Sequence, residues 1–185
     1  MKKILVSLLF GLMCVLSAHV AKAQGIALRT NLVDWALEAP NIGVDFVLNQ
    51  NTTLNISVAA TVEENYIHDA FVQQGQLEYR YWFSAQPYEN FFLGLQFSPT
   101  HYRLRLDKRS EGKYKNTDHT HSGVAFPFGF NFGYSWPLNS KLNIEACYGA
   151  GWIFYNNQCS LGPTPSHNMT FTTTNLGLNI TYILK

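Results

Sequence analysis

Two groups of residues in this 185-residue chain carry side chains that could do chemistry. The first is the run His119-Thr120-His121-Ser122. Acyl transfer needs a nucleophile, a base within hydrogen-bond reach and a third group to orient that base. In an extended chain His121 and Ser122 point to opposite faces, while His119 and His121 share one. Ser122 therefore has no histidine neighbour on its own face. His119 and His121 could form half of a metal site, but a closed zinc site takes about four ligands and the sequence marks no others. The run reads as the edge of a solvated loop, and no catalytic, cofactor or metal residue is assigned.

The second group is five charges, Arg29, Asp45, Glu78, Arg80 and Glu145, scattered among Gly, Asn, Ser, Gln and Thr. They sum to −1, close enough to balance that they could pair with one another. Buried charge is tolerated when paired and hydrogen-bonded and is costly when isolated. Where these residues sit depends on the elements that carry them.

Those elements follow an N-terminal segment that is set aside. Lys2 and Lys3 precede a mostly apolar run, Ile4 to Val20, and Ala21-Lys22-Ala23 gives small-x-small cleavage chemistry. Residues 1–23 read as a secretory signal peptide, and 24–185 as one domain. Removing the signal takes away three lysines, leaving 10 basic against 12 acidic side chains and a net charge of −2. Nothing in that balance favours nucleic acid. Cys147 and Cys159 lie twelve residues apart; along one extended segment they are too far apart to form a disulfide.

The mature chain lacks the ~20-residue apolar run of a membrane helix and shows alternation instead of a 3.6-residue period. Eight alternating segments are legible, an all-β pattern. In residues 125–138, AFPFGFNFGYSWPL, one face is Phe126, Phe128, Phe130, Phe132, Tyr134 and Trp136. The other is Pro127, Gly129, Asn131, Gly133 and Ser135. Soluble sheets clothe the outer face in charge. Here the five charges above are nearly all that the non-apolar faces carry. The span Phe126 to Trp136 is roughly 33 Å of strand. Tilted by about 40° it covers about 25 Å, the height of the apolar band on an outer-membrane barrel.

The expectation is an eight-stranded antiparallel up-and-down transmembrane β-barrel, monomeric, with the aromatic band against outer-membrane lipid and the five charges in the lumen. A barrel that narrow is filled by its own side chains, so the charges read as a structural plug rather than a pore. Within the plug, Asp45 or Glu145 is the expected partner of Arg80, and Glu78, two residues along the same strand, the least favoured. Pro127, lacking a ladder N–H, is expected at a mouth. Loops are expected around 63–70, 107–121 and 156–168. An exported soluble barrel or sandwich, with the aromatics as ordinary core and a ligand-binding role, is the alternative.

The stretches ALRTNLVDWALEAPNIGVDFVL, LEYRYWF, FGYSWPLNSKLNIEACYGAGW and LGLNITYILK together resemble a family of small Bacteroidetes-type outer-membrane β-barrel proteins of unknown function. The recurring features are matched here by Arg80-Tyr81-Trp82 and Asn143-Ile144-Glu145. The resemblance implies an outer-membrane barrel, a structural or interaction role through surface loops, and a link to fimbriae or cell-envelope assembly, with a surface or fimbrial protein as partner. It assigns no catalytic residue. Lipid A deacylases and acyltransferases share this size, so a lipid-modifying enzyme is the runner-up, but the deacylase-like His-x-Ser spacing is absent. The chain ends on Lys185 with Tyr182 three positions earlier, which shifts any terminal-aromatic assembly signal.

Overall fold

The computed structural model describes residues 25–61, 70–106, 119–159 and 166–184. The signal segment 1–23 and most of the three long loops expected above lie outside them. The elements in chain order are β1 (Gly25–Asn31), α1 (Leu32–Ala36), β2 (Asn41–Asn49), β3 (Thr52–Ala60), β4 (Ala70–Trp82), β5 (Asn90–Phe97), β6 (Thr100–Leu106), β7 (His119–Pro137), β8 (Leu142–Cys159) and β9 (Ser166–Ile183). β5 and β6 lie end to end between β4 and β7, so together they form one interrupted strand of the wall. Every neighbour is antiparallel, and the β1–β9 pairing closes an eight-stranded barrel.

Side chains alternate in and out with the pleat. On β1, Ala27, Arg29 and Asn31 are buried while Ile26 and Leu28 are exposed. On β7, Ala125, Asn131 and Ser135 face the lumen, and Phe126, Phe128, Phe130, Phe132 and Trp136 face out. Tyr134 lies on the outer face, edge-on to Phe91 at 4.7 Å.

Four local expectations are corrected. The alternation of Ile26, Leu28, Thr30 and Leu32 predicts a first strand through residues 25–35, but Leu32 to Trp35 belong to α1, because Asn31 caps a helical turn by accepting from the Val33 N–H at 3.1 Å. Pro127 sits well inside β7, opposite the Ser98-Pro99 interruption. Its carbonyl accepts from Ser98 N at 2.9 Å, and the bond that its missing N–H would have given is replaced at Ser98 O by the Thr100 hydroxyl, which donates there at 2.8 Å. The His119–Ser122 run is strand, paired with Leu106–Arg103 of β6. The third long loop is shorter than expected, since β8 runs to Cys159 and β9 begins at Ser166.

Wall height is uneven. β1 has 7 residues and β2 and β3 have 9 each, against 19, 18 and 18 for β7, β8 and β9. The surplus lies at the rim of α1 and the long loops; the opposite rim carries the connections at 50–51, 83–89 and 138–141.

Candidate functional site

The five lumen charges arrive from four strands: Arg29 on β1, Asp45 on β2, Glu78 and Arg80 on β4, Glu145 on β8. Each is 6% exposed or less. Strand register places Asp45 beside Asn55, Asn55 beside Glu78, and Glu145 beside Asn179. The arginines bridge what register alone leaves apart.

Arg29 Nη2 donates to Glu78 Oε2 at 3.1 Å and lies 3.4 Å from Asp45 Oδ1, while its Nη1 is 3.6 Å from Glu145 Oε1. Arg80 Nη1 donates to both Glu145 oxygens at 3.0 and 3.1 Å. Its Nε is 2.9 Å from Glu78 Oε1, an ion contact whose N–H is not aligned for a hydrogen bond. Glu78 is therefore a partner of Arg80 after all, because two long side chains leaning together close the gap between i and i+2. Asp45 forms its ion pair with Arg29 instead.

Neutral amides and a hydroxyl complete the cage. Asn55 donates to Asp45 at 2.6 Å, Asn131 to Glu78 at 2.6 Å, and Asn179 and Thr181 to Glu145 at 3.4 and 3.5 Å. Gly94 leaves the space: a Cβ there would stand 2.8 Å from Glu78 Oε1. Every charge of the cage lies within ion-pair distance of an opposite one, which ties the five together, although Asp45 Oδ2, Asn55 Oδ1 and Asn131 Oδ1 accept no hydrogen bond among the described residues.

Toward the short-turn rim the cage rests on a lid of aromatics that sequence reading missed. Arg80 stacks its guanidinium over Phe92 at 4.2 Å. Trp82 packs on Phe92 and Tyr88, with ring centroids at 4.9 and 5.5 Å, and donates its indole N–H to Thr53 at 3.0 Å. Tyr88 holds φ at 68°, unusual for a bulky residue. Its carbonyl is fixed there by Ser135 at 2.7 Å and by the Asn143 amide. The doublet Phe91-Phe92 carried a signal: alternation sends one ring out and the next in.

Toward the other rim a polar cavity of ≈ 30 Å³ opens, bordered by Arg29, Asn31, Asn41, Gln76, Glu78 and Asn179. That volume suits one or two water molecules, not a solute. The His121 ring lies away from this cage, its Nδ1 3.1 Å from Asn157 Oδ1 on β8. No cluster of metal-ligating side chains occurs among the described residues. Cys147 is a buried free thiol.

A family described as a protein of unknown function, DUF3575, matches residues 8–184, which include the whole barrel. The chain belongs to the DUF3575 family. No curated protein and no solved structure matches this DUF3575 chain. Its role must therefore be argued from the wall, the cage and the rims.

Proposed function

We propose that this DUF3575 barrel is an outer-membrane protein, exported through cleavage of residues 1–23, with a structural or interaction role at the long-connection rim. The carrying observation is a hydrophobic order reversed from that of a water-soluble protein. The closed wall holds five charges inside and presents apolar rings outside, with Phe91 63% and Phe130 52% exposed. Contiguous exposed apolar surface on this scale marks a surface that meets lipid or protein. A closed antiparallel wall also satisfies backbone groups where lipid offers no hydrogen bonds. The filled lumen supports a non-conducting, non-catalytic body, monomeric in outer-membrane lipid, whose surface or fimbrial partner meets the long-connection rim.

The test is fractionation. The protein should stay with outer membranes through a carbonate wash and run at a different mobility on a gel when unheated. Recovery as a soluble periplasmic protein would sink the reading.

A further inference from the structure

The uneven wall leaves part of one strand edge without a strand neighbour among the described residues, while α1 also packs against β9. β1 pairs with β9 only from Ile183 to Asn179. Just above, the Asn31 side chain supplies two more bonds, accepting from Leu178 N and donating to Leu176 O, each at 3.1 Å. Beyond that, no strand among the described residues pairs with β9 on its β1 side.

Which groups face the gap follows from strand geometry. Along one strand, residues on the same face turn their N–H and C=O to the same edge. The outward residues Leu176 and Leu178 address Asn31, so the outward residues of this strand point their main chain toward β1. Past the irregularity opposite Gly149 and Ala150, the outward residues are Phe171 and Met169. Their N–H and C=O groups therefore project into the open edge.

We propose that this edge is a docking site for an extended strand of a partner protein, added beside β9 at Met169 and Phe171. Three observations support a strand as occupant. The groups without a strand partner among the described residues have ladder spacing, which an extended chain matches. Residues 166–175, SHNMTFTTTN, contain no Lys, Arg, Asp, Glu or Pro, the residues by which lone edges usually resist pairing. Met169 and Phe171 are also 60% and 61% exposed, giving apolar surface for alternate side chains of the incoming strand to cover.

A second copy fits badly, an argument that rests on the membrane reading. Antiparallel pairing of two β9 edges would turn one barrel upside down relative to the other, whereas barrels in one membrane share an orientation. Parallel two-fold pairing would join the apolar face of one copy to the lumen face of the next. The occupant is therefore a different chain, with apolar residues at every second position.

The test uses the refolded full-length mature barrel in detergent and a synthetic peptide copying residues 149–156. That segment already pairs with this stretch of β9 from its other side. In the free barrel the Met169 and Phe171 amides should exchange with solvent at least tenfold faster than those of Thr170 and Thr172. Peptide should bind saturably and slow the two fast amides. Phe171→Pro removes an edge N–H and the ring that packs on Trp152 but no β8 ladder bond, so it should fold and weaken peptide binding at least tenfold, and by more than Phe171→Ala, which loses only the ring; Thr172→Pro breaks the β8 ladder and should impair folding. Slow exchange at Phe171 in the free barrel, no saturable binding, or binding indifferent to Phe171→Pro would overturn the proposal. Phe171-dependent dimers in sedimentation would overturn the choice of occupant. Carbonate extraction reads the membrane assignment separately, so failure of one is not mistaken for failure of the other.

Discussion

The two rims of this barrel are built on opposite principles. At the short-turn rim the wall is complete, the lumen holds an ion cage, and Trp82, Tyr88 and Phe92 close it beneath. At the other rim β1, β2 and β3 stop early, the taller strands stand on, and part of the β9 edge has no strand partner among the described residues. In the proposal above, stability belongs to the first region and recognition to the second, because a surface that must accept a partner cannot already be satisfied internally. Substitutions at the closed end should therefore be felt in unfolding, and those at the open edge in binding.

The largest effect should come from Arg80→Met, which leaves Glu78, Glu145 and Asp45 with Arg29 as the one cation remaining in the cage. Removing one side of a buried pair typically costs about 3–5 kcal/mol, readable as a lowered urea midpoint in detergent. Adding Glu145→Gln should return much of that loss. Asp45→Asn should couple most strongly to Arg29→Met, its ion-pair partner, and more weakly to Arg80→Met, which it meets only through the network. Additivity in every pair would mean that the closed end is not a cage.

The outer wall gives the next contrast. Arg at Phe130, mid-band, should cost about 2–4 kcal/mol, and at Phe126 or Trp136 only about 0–1. All three side chains are exposed, so a wall facing water would show little penalty anywhere.

A smaller effect separates two glycines. A Cβ on Gly151 would run into the Phe128 carbonyl oxygen and Gly129 Cα across the β7–β8 pair. Gly151→Ala should therefore cost about 1–3 kcal/mol. Gly75, with nothing near its absent Cβ, should accept Ala with a gain of about 0.4–1 kcal/mol.

The smallest concerns Asp34 on α1, at the open end. Burial pushes its carboxyl up to about 6, against the lowering hydrogen bond from Asn31. The folded state thus holds this proton more tightly than the unfolded chain does. Stability from this group is full below about pH 4 and falls as pH rises toward about 6. Asp34→Asn should flatten that part of the stability profile.

The barrel was legible in the sequence because a period of two, with five charges confined to one face, leaves few other architectures. Contacts across the lumen were not. Glu78 seemed out of reach of Arg80 on Cα spacing, yet side-chain length closed the distance. The end of β1 was hidden because Thr30 and Leu32 continue the alternation through the residue where Asn31 starts a helix. Pro127 was misplaced because the break it faces lies on another strand, 28 residues earlier at Pro99. Tyr88 was missed because a turn has no period to reveal it, whereas Phe92 was within reach of the alternation of β5.

The ion cage also constrains the order of assembly. Its partners lie 49 residues apart for Arg29 and Glu78, and 65 for Arg80 and Glu145. Arg29 and Glu145 stand on opposite sides of the β1–β9 seam, so a sheet zipped from β1 to β9 but not yet joined must keep these side chains hydrated. Arg29–Asp45 joins neighbouring strands and Glu78–Arg80 lies on one strand, so neither waits for closure, whereas the Arg29–Glu145 contact spans the seam. That contact is a latch on the closed wall: it exists only while β1 and β9 are joined.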